Sequence, residues 1–206
     1  MLKALQRGFT FKSQFEYPHP PPWGHVENYP PLLSVPGRQK LREAMKKQVL
    51  QGKMIGGPGW SKHHISLFFG EDNWYGIPCG AVTKDGDPLG RIVHDYGYYK
   101  QGSYSINAAH SDTSVKYDSI RKRVRLLENV IWYIKADLES GFREFGTHPA
   151  DWRFQVYCNG PNEHYVDLAC PFGKTNSTLE FCPPVKLFAI SAARRWSDLY
   201  GGCALP

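Results

Sequence analysis

The sequence predicts an α+β fold: an antiparallel sheet of about three strands with helices on one face and a separate hairpin beyond it. Three patterns predict it. Residues 131–137 alternate, with Ile131, Tyr133, Lys135 and Asp137 on one side and Trp132, Ile134 and Ala136 on the other. In 38–51, Leu41, Met45 and Val49 recur every four residues among Lys40, Arg42, Lys46 and Lys47, as on an amphipathic helix closed by Gly52. Two further runs, 152–157 and 164–169, flank an Asn159-Gly160 turn and predict a hairpin against the 131–137 strand.

Composition bounds the possibilities. The chain has 206 residues, 41% of them hydrophobic and 14% aromatic, enough for a packed core. Its net charge of +6 and pI near 9.0 lean toward a polyanionic partner. Cys79, Cys158, Cys170, Cys182 and Cys203 are odd in number and widely spaced, without the spacing of a zinc site, and read as reduced thiols. Lys3 and Arg7 interrupt any apolar leader, and no run approaches the length of a membrane span. The expected setting is intracellular, in cytoplasm or nucleus, with no membrane partner.

The remaining elements follow in chain order. Residues 1–37 carry a proline-rich, aromatic stretch that sustains neither helix nor central strand and forms an extended lead-in. Gly56-Gly57-Pro58-Gly59 reads as a turn-rich break and not a phosphate loop, because no Gly-Lys-Ser/Thr follows it. His63-His64 reads as a surface pair. Residues 77–83 and 91–93 predict two strands joined through residues 84–90, with Asp85-Gly86 as the turn signal, a hairpin that brings Lys84 near Arg91. Two such cations either clamp successive phosphates or are simply exposed. Asp95 is expected to orient the hairpin.

Asp118 precedes a helix in which Ile120, Val124 and Leu127 face inward and Arg121, Lys122, Arg123 and Arg125 form a basic outer face, either tracking a phosphate backbone or solvated. Asp137, at the end of its strand, either holds a cation, caps a helix or is solvated. Asp167 is an available carboxylate on the second strand of the late hairpin. Beyond Gly173, Ser177 or Thr178 would cap a helix that Cys182-Pro183-Pro184 interrupts within two turns, and a further helix would run over about 184–196.

Several blocks stand in a distinctive order: Gly80-Ala81-Val82-Thr83-Lys84-Asp85-Gly86, Arg91-Ile92-Val93-His94-Asp95, Ser114-Val115-Lys116-Tyr117, Lys135-Ala136-Asp137 through His148-Pro149, and Tyr165-Val166-Asp167 followed by Pro171-Phe172-Gly173. In this order they resemble the fingers and first part of the palm of a reverse transcriptase, nearest to retrotransposons of the tyrosine-recombinase (DIRS) type. The resemblance divides the chain into the lead-in 1–37, a fingers-like region 38–130 and a partial palm 131–206.

It implies an RNA-directed DNA polymerase that transfers dNTPs to a primer 3′-hydroxyl with two Mg2+ or Mn2+ ions on an RNA or DNA template-primer. Asp137 and the backbone carbonyl of Leu138 would hold metal, and Asp137 would be catalytic. Lys84 and Arg91 would bind the triphosphate. Phe142 would lie beneath the incoming sugar and exclude a 2′-hydroxyl, while Phe172 and Gly173 would meet the stacked template base and nucleotide. Asp167 is not among the family's catalytic acids. The family's Tyr-x-Asp-Asp hairpin is absent between Gly173 and Pro206, as are the rest of the palm and the thumb. The expectation is therefore a fragment inactive in isolation, or a non-catalytic nucleic-acid-binding remnant put to another use.

Overall fold

A computed structural model describes residues 35–70, 73–84, 87–98, 105–109 and 140–200. The predicted 131–137 strand, the helix after Asp118, residues 1–34 of the lead-in and Asp137, Leu138, Arg121, Lys122, Arg123 and Arg125 lie outside the described residues. Residues 35–37 of the lead-in are helical and not extended, because Pro36 sits in the first turn, where its missing N–H costs no hydrogen bond.

The first element is helix α1, Val35–Leu50, where the four-residue apolar repeat places it; Leu41 and Met45 are buried and Val49 packs against the same core. Its end is a Schellman turn. Gly52 takes φ +69°, its N–H donates to Val49 O (2.9 Å), and Lys53 N–H donates to Gln48 O (2.9 Å).

Strand β1, Met54–Pro58, follows at once. The expected glycine break is thus a strand, paired antiparallel with β6, Glu163–Asp167, from Met54↔Asp167 to Pro58↔Glu163. The two backbones approach closely at Gly56: a Cβ there would stand 2.3 Å from His164 O. Glycine serves a close strand contact here and not a turn.

A short helix α2, Lys62–Phe69, carries His63 and His64 on its exposed side. His64 Nδ1 accepts from the Ser61 N–H (3.2 Å), so this histidine completes a capping box. The predicted strand over 77–83 divides at Pro78. Before it, β2 (Gly76–Ile77) pairs parallel with β5 (Val156–Cys158); after it, β3 (Cys79–Lys84) forms a separate two-stranded ribbon with β4 (Asp87–His94). Proline has no N–H to continue a ladder, and the chain changes sheet there.

The next described elements after the four-residue helix α3 (Ile106–Ala109) are a 3-10 turn at Gly141–Glu144 and another at Pro149–Phe154. The second replaces the first half of the strand predicted over 152–157: Pro149 follows His148, whose ring accepts from Ala150 N–H (3.2 Å) and caps the turn. Strand β5 is only Val156–Cys158, turning through Asn159 and Gly160 into β6. The main sheet runs β1-β6-β5-β2, three antiparallel strands with β2 added in parallel.

This sheet separates two cores. One gathers Leu41, Met45, Met54, Tyr75, Ile77, Cys79, Tyr96, Ile106, Phe154, Tyr157 and Tyr165; the other gathers Ile65, Trp74, Val156 and Val166. Alternation along β5 and β6 supplies both, Tyr157 and Tyr165 to one and Val156 and Val166 to the other. The last element, α4, runs unbroken over Thr175–Tyr200 with Pro183 and Pro184 inside it. The predicted interruption is absent. Each proline forfeits one backbone hydrogen bond, and the turns on either side carry the helix past them. Nor do Ser177 and Thr178 cap it: the helix starts at Thr175, and the Ser177 hydroxyl donates instead to Pro171 O (2.5 Å). Among the described residues no helix is long and apolar enough to cross a membrane.

Candidate functional site

The 3-10 turn Gly141–Glu144 brings Phe142 to the segment that leads into α4. Its ring meets Phe172 edge-on at 5.0 Å between centroids and Phe181 of α4 at 4.5 Å; Phe145 adds a contact to Phe181 at 5.7 Å. Phe142 and Phe172, both partly exposed, are residues the sequence singles out, and they come together. Phe181 completes the cluster.

Gly173 closes one side of it. Its φ is +92°, and a Cβ would stand 2.7 Å from His94 O and 3.7 Å from the Tyr96 ring. Only glycine lets the Phe172 segment lie against the end of β4. Asn107 fixes the same segment from α3: its amide donates to Gly173 O (2.9 Å) and its Oδ1 accepts from Thr175 N–H (2.8 Å), while its own N–H donates to Tyr96 O (3.0 Å).

Behind the aromatic cluster lies a buried polar network. Arg143 Nη1 donates to Asp167 Oδ2 at 2.5 Å, with the side chains 7% and 0% exposed. The guanidinium also reaches Gln48 Oε1 through Nε (3.2 Å) and Nη2 (3.1 Å). Asp167 accepts further from the Tyr157 hydroxyl (3.0 Å) and the Ala169 N–H (3.1 Å), and Tyr157 and Tyr96 share a hydroxyl contact of 2.8 Å. Burial pushes the Asp167 carboxyl upward, and the Arg143 guanidinium pulls against it. With three donors converging on it, the carboxylate is the charged form. The expectation of an available acid is therefore corrected: Asp167 is enclosed and paired.

His94 stacks on Tyr157 at 3.9 Å, and its Nδ1 lies 3.3 Å from Cys79 Sγ. Burial first, and then repulsion from Arg143, lower its pKa to about 3, so the ring is neutral at neutral pH. Burial also raises the Cys79 thiol well above its ordinary range, which makes it a core group and not a nucleophile. Among the described residues Cys79, Cys158, Cys170 and Cys182 form no disulfide.

Of the remaining predicted residues, Lys84 and Arg91 stand on the β3–β4 ribbon, where Val82 pairs with Arg91 and Lys84 with Asp87 across an irregularity in register. Asp95 orients the end of that ribbon: its N–H donates to Pro78 O (2.8 Å) and its Oδ1 accepts from Gly97 N–H (2.9 Å). Among the described residues no group of three His, Cys, Asp or Glu side chains could hold a metal ion. Sequence reasoning missed Arg143, Asn107 and Phe181. One signal for the first was present, since Asp167 shares a strand face with Tyr165 and an acid on a core face requires a cation.

No protein-family model matches the sequence, and no curated protein does. Solved structures do. The native protease–reverse transcriptase of prototype foamy virus matches with a TM-score of 0.50 at 18% identity, over 89% of this chain and 21% of that one. A CSH mutant of the same protein matches with a TM-score of 0.54 at 17% identity, over 89% and 21%. The fold is reverse-transcriptase-like. A third match, the foamy viral protease–reverse transcriptase dRH solved with double-stranded DNA, has a TM-score of 0.51 at 15% identity, over 87% of this chain and 28% of that one. The chain thus spans less than a third of the length of these reverse-transcriptase structures.

Proposed function

We propose that this chain is the fingers (38–130) and part of the palm (131–206) of an RNA-directed DNA polymerase, of the kind carried by retrotransposons with a tyrosine recombinase. One observation supports it most. Phe142 and Phe172, assigned to the nucleotide by separate sequence blocks, lie 5.0 Å apart with Gly173 adjoining them. A surface of this kind offers a ring to a base or sugar and a bare backbone for close approach. Lys84 and Arg91 would neutralise the triphosphate, and Arg121, Lys122, Arg123 and Arg125 would follow a template-primer backbone. Asp137 and the Leu138 carbonyl would hold divalent metal, Mg2+ or Mn2+, which supplies activation of the primer hydroxyl and neutralises developing phosphate charge.

The experiment uses the longer polymerase that carries this chain through a Tyr-x-Asp-Asp hairpin. Asp137→Asn is expected to abolish dNTP incorporation with folding kept, and Phe142→Ala to raise ribonucleotide incorporation by about tenfold or more. Undiminished polymerisation by the first variant would remove Asp137 from the site; unchanged dNTP preference in the second would remove Phe142.

A further inference from the structure

Phe142 and Phe172 reach their shared site on two separate limbs. Phe142 rides the 3-10 turn Gly141–Glu144, which opens from Ser140 at φ +52°, a conformation that non-glycine residues seldom hold. Phe172 lies at the end of the segment that leaves β6 after Asp167. The residue next to Phe142 is Arg143, and its side chain turns away from the aromatic cluster to the root of the other limb. There it meets Asp167 at 2.5 Å and Ala169 O at 3.5 Å. Gln48 holds the far side of the guanidinium, and the carboxylate holds the Ala169 N–H at 3.1 Å.

We propose that Arg143 and Asp167 are a positioning pair that sets Phe142 against Phe172, and so fixes the nucleotide-contacting surface. This rests on the nucleotide reading above and adds two residues to it. The physical argument is that packing alone does not explain the pair. Burying two charges costs several kcal/mol before their attraction is counted, and apolar side chains of like volume often fold as well or better. An apolar pair lacks direction. The planar guanidinium, held by Asp167, Ala169 and Gln48 together, allows one relative placement of turn and strand. Each of its anchors belongs to a different part of the fold: α1, β6, and the segment running to Phe172.

The test uses the 206-residue chain. Arg143→Met/Asp167→Leu replaces the pair by apolar residues of similar volume, and Asp167→Asn removes the charge with almost no change of shape. Two quantities are measured under conditions where circular dichroism shows each protein folded: the ring-to-ring nuclear Overhauser effect between Phe142 and Phe172, and the ratio of affinities for Mg2+-dTTP and Mg2+-UTP. We expect both variants to lose the ring contact and the dTTP preference to fall by about tenfold, because a small misplacement is amplified at a contact surface. A mere loss of stability would weaken both nucleotides alike. Folded variants that keep the ring contact and the ratio overturn the proposal. If the unaltered chain shows the ring contact but binds neither nucleotide, the nucleotide reading falls and takes the pair's proposed purpose with it. Retention of the contact in the variants would instead strike the pair alone.

Discussion

His94 shows how one residue links the ribbon, the core and the candidate site. Its ring lies flat on Tyr157, its carbonyl oxygen crowds the place where Gly173 has no side chain, and its pKa is pushed down to about 3 by burial and by Arg143. An unfolded histidine titrates near ~6.5. Between those values the unfolded chain binds the proton and the folded chain does not, so stability falls as pH drops from above 6.5 toward 3. Glu163 acts lower. Burial raises its carboxyl, but hydrogen bonds from Arg42, Tyr165 and Asn159 outweigh that and hold it below the usual carboxylate value. Its contribution is present above the unfolded pKa and is lost as pH falls through the depressed folded one. Urea unfolding at pH 7 and pH 5 spans the histidine's range and stays above that of Glu163. We expect His94→Phe to remove most of the decrease in urea midpoint between these two pH values. An equal decrease in the variant would show that His94 is protonated without penalty in the folded protein.

At the scale of elements, the parts that follow ordinary periodicity were legible and those that follow special backbone geometry were not. The Leu41, Met45, Val49 repeat gave α1 nearly to its ends, and Asp85-Gly86 gave the ribbon. In contrast, Gly56-Gly57-Pro58 has the composition of a turn and forms β1, because what selects glycine there is the His164 carbonyl of a strand more than one hundred residues away. That neighbour is invisible to local pattern. The same holds for α4: tertiary contacts of its first turns, Ser177 to Pro171 and Asn107 to Thr175, outweigh the weak helix propensity of Pro183 and Pro184. The aromatic site was legible only through the block order. Its Arg143 support could have been sought from Asp167, but nothing local named the partner.

Three substitutions test these readings of α1, β1 and α4. Gly56→Ala combines φ +105° with a Cβ 2.3 Å from a backbone oxygen and is expected to destabilise by at least ~2 kcal/mol. Gly52→Ala, at φ +69° with nothing within 4 Å, is expected to cost only about 1 kcal/mol. Equal costs in chemical denaturation would mean that β1 relaxes away from His164. Pro183 is exposed within the helix, and Pro183→Ala is expected to raise stability by ~1 kcal/mol or more, since a donor and a better helix former are restored. A lower midpoint in that variant would show that the Pro183 ring is needed for packing.

For the molecule as a whole, the decisive feature is that two cores share one sheet. Leu41 (1% exposed) belongs to the core beneath α1 and Ile65 (0%) to the core beneath α2, yet Val156, Tyr157, Tyr165 and Val166 serve both from adjacent positions on β5 and β6. Neither core can open without exposing the other's strands, so the two should unfold together. Three of the six tryptophans, Trp60, Trp74 and Trp152, pack in the second core beside Ile65, and fluorescence reports on that core once Trp23, Trp132 and Trp196 are replaced by Phe. Leu41→Ala removes packing only from the first core and should destabilise by ~2–5 kcal/mol. If the cores are one cooperative unit, the tryptophan fluorescence transition in urea shifts by as much as the far-ultraviolet circular dichroism transition, with an unchanged slope. Ile65→Ala should move both signals in the same way from the other side. A fluorescence midpoint unmoved by Leu41→Ala, with the dichroism midpoint lowered, would mean that the α1 core melts on its own; Gln48 would then leave Arg143 before the sheet is lost, and the guanidinium would be held by Asp167 and Ala169 without its α1 anchor.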